Sequence, residues 1–290
     1  LQSATALVGF AALAPTARAR QASVKIGMTV DMSGVERANG LQLLQGGQSF
    51  FGQLNAAGGI NGKSVQLVAL DDGFNPEVAK DNALQLMGDS SVVGIISPLG
   101  TRQCAAVMGA TRGAALVGPS SGTPSLRKID APHAYFVRVS YDQELEKLVA
   151  TAASLSITRI GLVHSKDALG QAVLAGFNAA MAQHGLQAVV VATTPNTTSM
   201  DVEPAAQSIA KAGPQLVIMG LAGTAPAFVL ALRKAGSTST VYGLSIGASP
   251  SNINQLGSLA RGLGFAIVVP SPFASKYPVV RAYRKDMLAS

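Results

Sequence analysis

Asn55-Ala56-Ala57-Gly58-Gly59-Ile60-Asn61-Gly62-Lys63 stands between an apolar helical run and an apolar strand run. Upstream, Leu43, Leu44, Phe50, Phe51 and Leu54 recur at i+4 and i+7 spacings, which predicts a helix over 41–54 with one core-facing stripe. Gly58-Gly59 ends it, because glycine enters the left-handed conformation that closes helices. Downstream, the spacing predicts a strand over 65–70, closed by Asp71-Asp72-Gly73. Asn75-Pro76 then supplies a cap and a first-turn proline for the next helix.

The same alternation of strand, polar loop and helix extends in both directions. A strand over 23–30 precedes the stretch and ends in Asp31-Met32-Ser33-Gly34, and Asn39-Gly40 opens the helix after it. Strands over 92–97, 114–118 and 135–139 follow, with a helix over 103–111. After Ser140-Tyr141-Asp142 the pattern restarts. Helices are predicted over 143–155, 171–184, 202–212 and 225–235, with strands over 160–164, 188–193, 216–219, 241–244 and 264–269. A polar loop covers 245–251, and a last helix spans 279–288. Apolar strands alternating with helices predict an α/β fold with parallel sheets covered on both faces, in two halves without a long linker. Ligands of such sheets bind outside the carboxyl ends of the strands. The loops there include 98–101 and 119–123, the latter with three hydroxyl residues and a glycine. Hydroxyls and free backbone N–H groups in such a loop can hold a carboxylate without a counter-charge. The same residues are also ordinary loop chemistry.

Composition narrows the function classes. The 290 residues are 48% hydrophobic and 13% charged, enough for two buried cores. The net charge is +7, but the basic residues are scattered, with one cluster at Arg281, Arg284 and Lys285. Trp is absent and aromatics make up 5%. A nucleic-acid partner, which needs a basic stripe or a stacking platform, is not expected. Cys104 is the lone cysteine and sits in an apolar helical context, so it reads as a small core residue. His133, His164 and His184 lack ligand spacing, and neither a metal nor another cofactor is expected. No phosphate loop, dinucleotide fingerprint or nucleophile elbow occurs. Leu1 to Ala14 is an apolar, small-residue run followed by Ala17-Arg18-Ala19, the pattern of a secretory signal peptide over 1–19.

Several strings in order resemble the leucine/isoleucine/valine-binding type of periplasmic binding protein, the type I receptors of ABC importers. They are Asp31-Met32-Ser33-Gly34, Leu54 to Lys63, Asp71-Asp72 with Asn75-Pro76-Glu77-Val78-Ala79, Gly118-Pro119 to Pro124, and Phe136-Val137-Arg138-Val139-Ser140-Tyr141. The resemblance implies two Rossmann-like lobes closing on a ligand. Lobe one would hold 23–139 plus 270–290, lobe two 140–269. Family members continue further, so lobe one would be incomplete and the C-terminal part truncated. The resemblance also implies a monomeric periplasmic receptor, not an enzyme, whose partners are a small solute and an inner-membrane permease.

By the same resemblance Gly100, Thr101, Ser120, Ser121 and Thr123 would hold the ligand's carboxylate. Asn39 would form a wall, Leu169 would stand where an aromatic usually lies, and Ser245 would mark the place of the acid that pairs with an amino-acid ammonium. No Asp or Glu lies between Val241 and Asp286. A buried ammonium without its acid forfeits roughly a thousandfold in affinity. An organic or aromatic acid, or an amide, is therefore expected over a free branched-chain amino acid. Two further readings stay open: a hydrolase or amidase on the same fold class, and an amide- or amino-acid-sensing regulator.

Overall fold

The computed structural model describes residues 23–111 and 113–289, so the 1–19 segment lies outside the described residues. Its first half runs β1 (Ser23–Val30), α1 (Arg37–Ala56), β2 (Ser64–Asp71), α2 (Pro76–Met87), β3 (Val92–Ile96), α3 (Thr101–Ala110), β4 (Ala115–Val117) and β5 (Ala134–Tyr135). Its second half runs α4 (Tyr141–Ser154), β6 (Ile160–Ser165), α5 (Ala168–Gln183), β7 (Ala188–Thr194), α6 (Glu203–Ala212), β8 (Leu216–Gly220), α7 (Ala225–Lys234), β9 (Thr240–Gly243), α8 (Pro250–Leu256) and β10 (Leu263–Phe265). Helix α9 (Pro278–Ala289) returns to pack on α1.

Two five-stranded sheets result, ordered β2-β1-β3-β4-β5 and β10-β9-β8-β6-β7. Every strand pairing is parallel. Each half lays its first strand between its second and third, so the two lobes share one topology, with a switch point beside β1 in one and β6 in the other. The helix that follows the first strand of each lobe, α1 or α5, crosses its own loop closely. A Cβ at Gly40 would lie 1.8 Å from the Asp31 carbonyl oxygen, and one at Gly170 would lie 1.6 Å from that of Ser165. Only glycine allows either crossing.

The opening stretch folds as a small clasp. Asn61 and Gly62 both have positive φ (49° and 76°), the signature of a two-residue hairpin turn, and Ile60 and Lys63 exchange backbone bonds of 2.8 and 2.9 Å across it. The Asn55 side chain then imitates a backbone strand. Its Nδ2 donates to the Val65 carbonyl and its Oδ1 accepts from the Val65 N–H, both at 2.7 Å, which ties the end of α1 to the start of β2.

Two apolar clusters cover the faces of the second sheet, one built around Leu145, Val173 and Phe177 with α4 and α5, the other around Ile209, Phe228 and Val229 with α6 and α7. In the first lobe Ala79, Leu86, Cys104 and Val107 pack α2 and α3 onto Ile95 and Leu116. The expected α1 stripe is less buried: Phe50 is 56% exposed, and of the helix only Gly40 and Ser49 are buried. Helix α9 packs over that helix in addition to β1 and β2, and the rest of the stripe stays partly open.

Three predicted elements change. The strand over 135–139 shrinks to Ala134–Tyr135, and that over 264–269 to Leu263–Phe265. The lost portions cross between the lobes, where strand-forming residues have no neighbour to pair with; Val137 and Val269 are 72% and 66% exposed. The loop over 245–251 instead starts a helix, because the Ser249 hydroxyl caps Asn252 and Pro250 occupies the first turn of α8.

Candidate functional site

The carboxyl ends of both sheets face one cleft of about 920 Å³. On the first lobe, buried Asp31 organises the loop after β1, accepting from the N–H groups of Ser33 and Glu36 at 3.1 and 2.7 Å. This brings Glu36, 3% exposed, to the N-cap position of α1. Its Oε2 accepts from Asn39 Nδ2 at 2.6 Å and its Oε1 from the Gly223 N–H at 2.7 Å. Gly223 follows β8, so this bond joins the two lobes across the cleft. Burial raises the Glu36 carboxyl above the usual carboxylate range, against the lowering effect of both donors.

Helix α3 points its N-terminus into the same space. Gly100 precedes it with φ 103° and has no side chain to cap the first-turn N–H groups. Thr101 Oγ1 lies 2.9 Å from both Ser121 Oγ and Thr123 Oγ1. Ser121 and Thr123 are 0% and 1% exposed and lie behind the cleft wall. They position the Thr101 hydroxyl and do not line the cleft themselves. Ser120 lines it, anchored by its N–H to the Pro98 carbonyl at 2.8 Å. Asn39, Gly100, Thr101, Leu169 and Ser245 also line it.

Ser245 is not an isolated hydroxyl. Its N–H donates to Glu144 Oε2 at 2.8 Å, and its Oγ lies 3.0 Å from Glu144 Oε1. Arg138, in the crossing segment, donates from Nη2 to Glu144 Oε1 at 2.5 Å and to Ser245 Oγ at 2.9 Å. The Arg138 and Glu144 side chains are 11% and 2% exposed, and the guanidinium lies 5.0 Å from the Tyr141 ring centroid. The place where the resemblance puts an acid thus holds a neutralised ion pair.

Asp167, the N-cap of α5, also borders the cleft. Burial would raise its carboxyl, but donors from Thr197 (N–H at 2.7 Å, and its hydroxyl), Ser165 (2.7 Å) and Gly170 (3.3 Å) hold it below the usual range.

Glu36, Arg138 and Phe74 are cleft residues that the sequence reading did not assign. Glu36 precedes the predicted helix start, and Arg138 falls in the part of a predicted strand that does not form. Cys104 is buried, its thiol pushed up to about 12 by burial and within reach of the Pro98 carbonyl at 3.1 Å, which leaves it unreactive. Among the described residues no group of three His, Cys, Asp or Glu side chains could hold a metal ion, and no helix is long and apolar enough to cross a membrane.

Two α/β lobes of one topology, with their loops facing a shared cleft, define the type I bilobal binding-protein fold. A family model described as periplasmic binding protein matches residues 23–290, and the chain belongs to that family. A substrate-binding periplasmic protein from Ralstonia solanacearum is 30% identical with a TM-score of 0.84, over 92% of this chain and 76% of that one. The Leu/Ile/Val-binding protein homolog 3 of Brucella melitensis biotype 1 is 26% identical over 185 residues, 63% of this chain and 50% of its own length. BraC3, a Leu/Ile/Val-binding protein of Rhizobium johnstonii, is 28% identical over 187 residues, again 63% of this chain and 50% of its own. The chain spans about half the length of these curated relatives.

Proposed function

We propose that this chain is the ligand-binding part of a periplasmic receptor that captures a small carboxylate-bearing solute by lobe closure and presents it to an ABC importer. The observation that carries this reading is the N-terminus of α3, open to the cleft at Gly100 beside the Thr101 hydroxyl and Ser120. Uncapped N–H groups at a ten-residue helix start favour an anion through both hydrogen bonding and the helix dipole. The role is binding, not turnover, and the solute carries a carboxylate without a free α-ammonium.

Each carboxylate near the cleft already has donors. Glu144 is paired with Arg138, Asp167 has three residues donating to it, and Glu36 holds Asn39 and Gly223. The names of the Leu/Ile/Val-binding relatives favour a branched-chain amino acid instead, whose ammonium would have to displace Asn39 or Gly223 from Glu36, a carboxylate that lines the cleft.

A thermal-shift panel of the purified chain with benzoate, short-chain organic acids, leucine, isoleucine and valine tests the reading. Binding at a hundredfold over Kd adds about 2.7 kcal/mol. The expected shift comes with the acids and not with the amino acids. A shift with leucine that Glu36→Gln removes would overturn the ligand assignment, and no shift with any carboxylate would overturn the receptor.

A further inference from the structure

Phe74 lies in the loop after β2, between Gly73 and Asn75, and lines the cleft. Its backbone is left-handed at φ 61°, directly after Gly73 at φ 54°, and the Asn75 N–H closes the turn onto the Asp72 carbonyl at 2.8 Å. Paired positive φ values suit glycine, asparagine and aspartate, and a bulky aromatic in that position is an outlier. The surroundings force it. Asp72 Oδ1 accepts from the Phe74 N–H at 2.9 Å, and Gln103 Nε2 donates to the Phe74 carbonyl at 2.6 Å. Asp72 is itself buried and held by the Thr29 hydroxyl at 3.0 Å. The clamp sets the ring against the start of α3: Phe74 Cε2 would lie 2.9 Å from a Cβ placed on Gly100. Nothing in the turn itself asks for an aromatic, and strained residues held by their surroundings concentrate at binding sites.

We propose that Phe74 is a specificity residue whose ring forms the wall beside the carboxylate site at Gly100–Thr101, selecting a solute whose aromatic ring is bonded directly to its carboxyl carbon. This rests on the receptor reading above and deepens it to a substrate class, an aromatic carboxylate. A flat ring one bond from the carboxylate meets the Phe74 ring as soon as the carboxylate reaches the α3 N–H groups. Aromatic pairs add roughly two- to tenfold in affinity beyond the area they bury.

The test compares benzoate with cyclohexanecarboxylate, which carries the same carboxylate on a saturated ring, by calorimetric titration of the purified chain. The wild type is expected to prefer benzoate at least threefold. Phe74→Leu and Phe74→Gly are expected to abolish that preference. Phe74→Gly relieves the left-handed backbone while giving up the ring's packing on α3, so the melting temperature is read for both variants and selectivity is judged in those that stay folded. An unchanged preference in a folded Phe74→Gly protein overturns the proposal. Tight binding of saturated acids with no benzoate preference in the wild type overturns it while leaving the receptor standing. Binding of no carboxylate removes both.

Discussion

Gly223→Ala tests whether the lobes are latched through Glu36. An alanine Cβ at 223 would lie 2.8 Å from Glu36 Oε1 and 2.9 Å from the Val35 carbonyl oxygen. Ordinary carbon–oxygen contact needs a few tenths of an ångström more, and neither atom is the loose end of a long exposed side chain, since Glu36 is only 3% exposed. The lobes must separate locally, and the 2.7 Å bond from the Gly223 N–H is lost. A hydrogen bond to a charged acceptor is worth about 1.5–3 kcal/mol, and one to a neutral acceptor about 0.5–1.5 kcal/mol. Loss of about 1.5 kcal/mol from the closed form alone lowers ligand affinity roughly tenfold. Each lobe keeps its own core, so the melting temperature of the ligand-free chain should move little. Small-angle scattering should show a larger radius of gyration for the variant, and calorimetry with the best acid from the panel should show the weaker binding. An unchanged radius with unchanged affinity would refute the latch, and a large drop in melting temperature with unchanged affinity would show that Gly223 serves packing within its lobe.

Three other outcomes follow from the same contacts. Arg138→Ala leaves the 2%-exposed Glu144 side chain without its cation and should cost about 3–5 kcal/mol in denaturant unfolding, much of it recovered when Glu144→Gln is added. Burial raises Asp72 from 3.8 to about 6, so the folded state binds more protons than the unfolded chain in that interval. Stability should fall as pH rises from about 4 to 6, by up to about 3 kcal/mol, and Asp72→Asn should flatten that fall in a urea titration series. Thr101→Val keeps the shape but strips the hydroxyl that Ser121 and Thr123 hold, and acid binding by calorimetry should weaken about tenfold with a stability loss of about 1 kcal/mol.

Most of the architecture was legible because its signals are local. The alternation of strand and helix, the Gly58-Gly59 stop and the Asn75-Pro76 cap act within a few residues, and each turns up where expected. The crossing segments were misread because Val137, Val139, Ile267 and Val269 have strand propensity, while pairing depends on a neighbour the local sequence does not specify. From the residues alone the cleft was legible where loops end strands, as at Gly100, Thr101 and Ser120, whereas Asn39, Leu169 and Ser245 came only through the resemblance. Glu36 and Arg138 gain their positions from the other lobe, through Gly223 and through Glu144 with Ser245, at sequence separations of 187 for the first pair and 107 for Arg138 and Ser245. No spacing rule reaches that far. Phe74 left a trace, an aromatic inside an Asp-Asp-Gly-Phe-Asn-Pro turn. Its meaning depends on Gly100, which only the fold brings beside it.

The most direct measurement is a crystal structure of the chain grown with benzoate. The account predicts the carboxylate on the first-turn N–H groups of α3, within hydrogen-bonding distance of Thr101 Oγ1, with the ring against Phe74 and the lobes joined through Glu36 and Gly223. A carboxylate seated instead on Arg138, with Glu144 displaced and the start of α3 facing water, would contradict it.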